Sequence, residues 1–296
     1  MERYREIIPD WERFWETIHR PLPTVIRTNT LRIEPATLRR RLEAKGFDLQ
    51  PLPWDETCFV VEGEIPIGNT LEHWLGYYYV QEATQLLPVK ALAPKPGENI
   101  LDLCAAPGGK TTQIAQYMAD QGLLVANDSS PKRIQALLAN IYRLGVKCAV
   151  VTECPGENFP GEGVFDRVLV DAPCSSEGVA RKFPHLRKGA PLGTINRLSG
   201  IQKKLLTRAL GLVKPGGIVV YSTCTLAPEE NEGVVKHVIE RGLAELVPWE
   251  PPVPHERGLV CFGEEDYGAE LRKTVRIYPH HFDSEGGFIA VLRRPS

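Results

Sequence analysis

No apolar run in the chain approaches the roughly 20 residues needed to cross a bilayer. Its first stretch, MERYREIIPDWERFW, has neither the basic end nor the apolar block of a secretory leader. A cytoplasmic protein outside the membrane is therefore expected. Paired cysteines are missing too: seven stand at 58, 104, 148, 154, 174, 224 and 261, with no CxxC and no paired Cys/His spacing. Disulfide and metal frameworks are not expected, and most such thiols are small buried hydrophobes unless local context promotes one. An excess of one charge is lacking, since 35 basic side chains face 37 acidic ones. The whole-chain field thus argues for no partner, and any basic surface must be local. Repeats, low-complexity tracts and a GxGxxG fingerprint are absent as well, the last of which sets aside a standard dinucleotide site.

What is present, at 296 residues and 43% hydrophobic, suffices for one large domain or two unequal ones. Residues 1–70 form one expected unit. In it TVIRTNTLRI reads as an alternating strand, PATLRRRLEAKGF as a helix closed by Gly46, and TCFVVEG as a strand, together a small α+β module. Arg39, Arg40, Arg41 and Lys45, with Arg27 and Arg32 before them, are either a solvated helix face or a phosphate-contacting patch. Over residues 71–296 the rhythm becomes strand, turn, helix. ENILDLCA, GLLVAND, KCAVVTEC, VFDRVLVDAP and GIVVYSTC read as strands separated by helices, the second helix capped by Ser130 and the IQKKLLTRALGLVKPGG helix closed by its Pro and Gly. Such Val/Ile/Leu strands imply a doubly wound, mostly parallel sheet of Rossmann-like α/β class, with ligands beyond the carboxyl ends of the strands. KTVRIYPH and GGFIAVLRR add two strands expected to be antiparallel at one edge.

The unusual residues all fall at those strand ends. LDLCAAPGGKTT follows the first strand and opens a helix, so glycine backbone and a helix N-terminus face a ligand. A P-loop would need glycine where Cys104 stands, which leaves a nucleotide hydrolase built on GGKT and VLVDA as a weak alternative. Asp128, ending the second strand, is placed to accept from ribose hydroxyls or merely to cap the next helix. A loop for an amino-acid end plus an acid for a ribose suits S-adenosylmethionine, which has no phosphate. Cys174 in DAPCSSEG and Cys224 in STCT end two successive strands, the first beside Asp171. A thiolate, an acid and a second proton-transfer group are what methylation at carbon 5 of a pyrimidine requires. The residues alone do not say which cysteine attacks.

YYVQEATQLLP, LDLCAAPGGKTT, VLVDAPCSSEGVARK, LVKPGGIVVYSTCTLAPEENE and GGFIAVLRR, in that order, resemble the NOL1/NOP2/Sun family of RNA cytosine-5 methyltransferases. RKFPHLRKGAP and the YYYVQE block look most like the branch acting on bacterial small-subunit rRNA, so rRNA is expected ahead of tRNA. The resemblance implies that Cys224 adds to cytosine C6, that Cys174 assists release of the product, and that Asp171 hydrogen-bonds the base near N3. It also implies that Cys104, Ala105, Ala106, Pro107, Gly108, Gly109 and Lys110 hold the methionine part of S-adenosylmethionine, with Lys110 near the reacting centre. Asp128 would bind the ribose, and Arg133 and Asp171 would lie beside the cofactor. Pro155 replaces an aspartate that contacts adenine in relatives, which leaves Glu153, Glu157 or backbone for that task. Longer relatives continue into a C-terminal RNA-binding domain, so target choice is expected to rest on the N-terminal segment, the catalytic face or another protein. RNA is the expected partner, without metal, for a monomer. Tyr77, Tyr78 and Tyr79 are offered to stack on an extruded base, core packing being favoured for at least two of them. A non-catalytic RNA-binding assembly factor is the remaining alternative, which the two cysteines oppose.

Overall fold

A computed structural model describes all of residues 1–296. Helix α1 (Trp11–Thr17) starts from Asp10, whose carboxylate accepts the Arg13 N–H. It does not join the N-terminal module: Tyr4, Phe14 and Ile18 pack on Ala180, Ile195, Leu226 and Tyr278 of the second half. The module proper comprises β1 (Val25–Thr28), α2 (Pro35–Glu43), β2 (Asp48–Leu52), β3 (Asp55–Glu62), α3 (Leu71–Trp74) and β4 (Tyr78–Val80). Its four strands form an antiparallel sheet in the order β2-β3-β1-β4. The strand Tyr78–Val80 thus hydrogen-bonds to β1, although a division at residue 70 places it with the second domain. All four residues of β1 are buried, because it is an inner strand covered on both faces, where simple alternation had been expected.

The second half continues with α4 (Leu87–Leu92), β5 (Asn99–Asp102), α5 (Gly109–Tyr117), β6 (Leu123–Asp128), α6 (Pro131–Leu144), β7 (Ala149–Glu153), β8 (Phe165–Asp171), α7 (Leu192–Leu212), β9 (Val213–Thr223) and α8 (Glu232–Ile239). After these come β10 (Glu245–Val247), β11 (Glu256–Arg257), the hairpin β12 (Cys261–Phe262) with β13 (Glu265–Asp266), β14 (Val275–Ile277) and β15 (Gly287–Arg293). The large sheet runs β11-β14-β15-β9-β8-β5-β6-β7, with β10 alongside β15. β5 through β9 are parallel neighbours, while β15 runs antiparallel to β9, β14 and β10. The last two strands are antiparallel as expected, but β15 lies inside the sheet, since its Ile289 to Leu292 are apolar and buried on both faces.

Two apolar clusters of 25 and 23 buried residues cover the two faces of this sheet. Ser130 caps α6 and Gly145 closes it at φ 71°, as the sequence predicts. The KPGG segment is a difference: Lys214 to Gly217 lie within β9, whose register against β8 shifts just there, so the turn residues bulge a strand and do not close a helix. The order β7-β6-β5-β8-β9 reverses direction between β5 and β8. That switch point is where a doubly wound sheet opens a crevice at its carboxyl edge.

Candidate active site

Three strand ends meet at the switch point. β5 ends on Asp102 and leads into Cys104, β8 ends on Asp171, and β9 ends on Thr223 just before Cys224. Pro173, which cannot donate to a ladder, ends pairing after Asp171. The next residue, Cys174, is carried to Cys224, with the two Sγ atoms 3.2 Å apart. Ser176 sits at φ 61° with its Oγ 3.8 Å from the Cys174 sulfur and 3.6 Å from that of Cys224. The Gly178 N–H donates to the Cys224 carbonyl at 2.8 Å. Only glycine fits there, because a Cβ would lie 2.7 Å from that carbonyl and 2.8 Å from the one of Gly286. Glu230 orders the Cys174 loop by accepting from the Ser175 N–H at 3.1 Å and from Gln202 Nε2 at 2.7 Å.

A hydrogen bond from Cys174 holds the Cys224 thiol below its ordinary value, against the effect of burial, with Ser176 adding a second contact. The same bond, together with burial, pushes Cys174 well up. The geometry therefore separates two chemically identical groups into an activated thiol and a protonated neighbour. Burial also raises Cys104, which leaves it inert packing beside them.

Asp171 accepts from Lys110 Nζ at 2.8 Å and from Ser222 Oγ at 2.9 Å. Burial disfavours the Lys110 ammonium, but Asp171 outweighs that and holds it above its ordinary value. Lys110 also donates to Gln85 Oε1. These partners weigh against the P-loop alternative, in which that ammonium would be free to meet phosphate.

Two cavities adjoin along Cys104 and Asp171. The larger, about 510 Å³, runs from Cys174 and Cys224 past Leu103, Asp128, Arg133, Ile201 and Leu205 to Pro155, Gly156 and Glu157. Asp128 there accepts from the Ala106 and Ser130 N–H groups at 3.2 and 3.0 Å and pairs with Arg133 at 3.4 Å. Gly156 keeps the far end open, since a Cβ would lie 2.7 Å from the Leu205 side chain. The smaller cavity, about 290 Å³, is lined by Ala105, Ala106, Pro107, Gly109 and Lys110 on one side and by Tyr79, Gln85, Lys182, Phe183 and Glu285 on others. Gly108 lines neither; it turns the chain into α5 at φ 106°.

These walls fit S-adenosylmethionine. An apolar slot between Leu103, Ile201, Leu205 and Pro155 suits a flat purine, and Asp128 at its side suits a ribose. The buried Oδ1 of Asp102, which has no partner in the protein, suits an ammonium. Of the adenine contacts considered for the position of Pro155, Glu157 and the Gly156 backbone line the slot, while Glu153 lies outside it.

Other expectations divide. Tyr78 is buried core and Tyr77 packs beside it under Arg41, which leaves Tyr79 facing the smaller cavity. The basic cluster is largely tied down: Arg39 pairs with Glu43, Arg41 and Lys45 with Glu72, and Arg32 donates to the Leu75 carbonyl. Arg27 is 1% exposed and bonds Gln81, Gln116, Gly109 O and Thr112. It is an internal cross-link, because a guanidinium with this many internal partners has no donor to spare for phosphate. Glu82 and Glu285, within the quoted YYVQE motif and just before GGFIAVLRR, went unnoticed as site residues. An acid one residue ahead of a Gly-Gly strand start was the available signal.

A Rossmann-like sheet with a nucleoside-sized slot at its switch point and paired thiols beside it defines a methyltransferase of the α/β class. The chain belongs to the family described as 16S rRNA methyltransferase RsmB/F, which matches residues 89–293, and residues 1–83 match the N-terminal domain of 16S rRNA methyltransferase RsmF. It is 41% identical over 298 aligned positions to the tRNA (cytosine(49)-C(5))-methyltransferase of Pyrococcus abyssi, covering 100% of this chain and 95% of that one. It is 40% identical to the human 28S rRNA (cytosine(4447)-C(5))-methyltransferase, covering 95% of this chain but 35% of that protein. The crystal structure of NSun6 from Pyrococcus horikoshii with SFG superposes at TM-score 0.85 and 25% identity, covering 100% of this chain and 97% of that one.

Proposed function

We propose that the protein methylates carbon 5 of a cytosine in RNA, using S-adenosylmethionine and a covalent adduct between Cys224 and cytosine C6. The observation that carries this reading is the 3.2 Å contact between Cys174 and Cys224 at the mouth of the nucleoside slot. Family membership, and a relative solved with the S-adenosylmethionine analogue SFG, support the cofactor. Ribosomal RNA is favoured over tRNA by the matched family's description and by the human relative, while the archaeal relative speaks for tRNA.

Carbon 5 of cytosine is a poor nucleophile until a thiolate adds at C6. Cys224, lowered by its neighbour, supplies that thiolate. Asp171, steadied by Lys110 and Ser222, accepts from the exocyclic amine and fixes the ring plane. Leu103, Asp128 and the Cys104–Lys110 loop orient the cofactor, which when bound supplies a sulfonium methyl. Cys174, in contact with the sulfur to be expelled, assists release once the C5 proton has gone. The base reaches this depth only outside its stack.

RNA carrying 5-fluorocytidine tests the reading. A denaturing gel should show a covalent adduct that Cys224→Ala cannot form; an adduct that survives Cys224→Ala and disappears in Cys174→Ala would reverse the two roles. Bisulfite sequencing of rRNA and tRNA, with and without the gene, decides the RNA class.

A further inference from the structure

We propose that Glu285 is the catalytic acid of this site, delivering a proton to cytosine N3 as Cys224 adds and taking it back before the thiol leaves. The proposal rests on the cytosine reading above and names a group that reading lacks. N3 of cytosine is an acceptor and needs a donor. Asp171, which already accepts from Lys110 and Ser222, is an acceptor as well. It suits the amine and cannot serve N3 in that state.

Glu285 is 4% exposed and lines the smaller cavity together with Asp171 and Lys110. Its position is fixed on both sides. Its carbonyl accepts from Thr84 Oγ1 at 2.9 Å, and its N–H donates to Glu82 at 3.1 Å. The next residue, Gly286, donates to the carbonyl of Gly178, the residue that holds the Cys224 carbonyl. The acid and the nucleophile are thereby set from one hydrogen-bonded loop pair.

Two carboxyl groups lie side by side here, Glu285 buried and Glu82 half-buried. Burial raises the Glu82 carboxyl, but it accepts two backbone N–H groups, from Thr84 at 2.7 Å and Glu285 at 3.1 Å, and these bonds favour the ionised form and offset part of that rise. Of the pair, Glu285 keeps the proton. The charged and titratable groups sharing its surroundings are Glu82, Lys110, Lys182, Asp171, Asp102, Tyr79 and the Cys224 thiol, with Gln85 as a polar neighbour. Burial and the Glu82 charge push Glu285 up to about 7, outweighing the two lysines. A general acid is most effective near the operating pH. Lys110, held above its ordinary value by Asp171, gives up a proton less readily.

The electrons balance without an added reagent. The Cys224 thiolate forms the S–C6 bond as the C5=C6 π bond opens, its pair is delocalised toward N3, and N3 takes the Glu285 proton. After alkylation at C5 the N3–H proton returns to Glu285. Loss of the C5 proton to solvent then restores C5=C6 and expels the Cys224 sulfur with its pair.

Single-turnover methylation of RNA from cells lacking the gene, measured from pH 5.5 to 9, tests the proposal. The unsubstituted enzyme should lose rate as pH rises through about 7, where Glu285 gives up its proton. Glu285→Gln should be slower by about 10²-fold or more and should lack that falling limb. Its cofactor affinity by calorimetry and its melting temperature should stay close to those of the unsubstituted enzyme, which separates a chemical role from a folding one. Glu82→Gln, which removes the neighbouring charge, should move the limb to lower pH. Full activity in Glu285→Gln, or a slow variant that keeps the falling limb, overturns the proposal. If the unsubstituted enzyme forms no Cys224-dependent adduct on 5-fluorocytidine RNA, the parent reading fails and takes this one with it.

Discussion

Replacing Cys174 with alanine removes the S–H that Cys224 accepts, and two consequences follow in opposite halves of the reaction. Alkylation of Cys224, followed by mass spectrometry across pH, should need a higher pH in Cys174→Ala, because the bond that lowers the Cys224 thiol is gone. On ordinary RNA the same variant should accumulate a covalent complex on denaturing gels, since addition survives while release slows. A variant with unchanged alkylation and no complex would remove both roles. Asp171, Cys174 and Cys224 could be picked out of the sequence because a hydrophobic run ending on an acid or thiol marks a strand end. Glu285 could not, because its character comes from Glu82, some 200 residues away in the chain, and from burial that only the folded molecule supplies. The phosphate-patch alternative for Arg27 failed for a related reason: a basic residue in a strand looks alike whether it meets solvent or four internal acceptors.

Among the elements, β1 carries the most testable contact. Arg27 on β1 reaches Gln116 and Thr112 of α5 and the carbonyl of Gly109 at its first turn. Arg27→Met should lower stability by about 3 kcal/mol in urea titrations, the cost of several buried charged hydrogen bonds offset in part by not burying the charge. It should also weaken S-adenosylmethionine binding, because α5 begins directly after the Cys104–Gly108 loop. A loss of stability with intact cofactor affinity would show that the loop is held by other means. The parallel strands and their helices were legible from Val/Ile/Leu runs alternating with helical stretches, and α6 most sharply because Ser130 and Gly145 mark its two ends. β2 and α1 were not: β2 is a short Gln- and Pro-containing edge strand, and α1 buries its apolar side against residues far along the chain. Proline and glycine at residues 215–217 read as a stop in sequence, yet in space they form a bulge inside β9.

For the whole molecule, the burial of Asp102, whose Oδ1 has no partner in the protein, couples folding to pH. Burial pushes its carboxyl from 3.8 up to about 7. The native state therefore keeps a proton that the unfolded chain loses near pH 4. That contribution to stability is complete below pH 4 and is lost as pH rises toward 7. Asp102→Asn has no such proton, so in urea titrations the stability of the unsubstituted protein relative to this variant should decline from pH 4 to 7 and level off above. A difference that grows with pH would mean that Asp102 is ionised in the native state. A change of rhythm was legible in the sequence, but the joint was not, because β4 pairs with β1 in the first sheet while the motif around it reads as the start of the second unit.

On the proposed function, that joint bears on how RNA is handled. Asn29, at the end of β1, donates to the carbonyls of Gly76 and Leu144, and Arg27 grips α5. Rocking the small sheet relative to the large one would break the Asn29–Leu144 bond and those of Arg27 to α5, at about 1–3 kcal/mol for each group left unpaired. The module is an anvil and not a jaw. On the proposed function, the conformational work of bringing a cytosine to Cys224 then falls on the RNA. Selection among otherwise similar cytosines becomes a matter of how cheaply each stretch of RNA can bend and unstack.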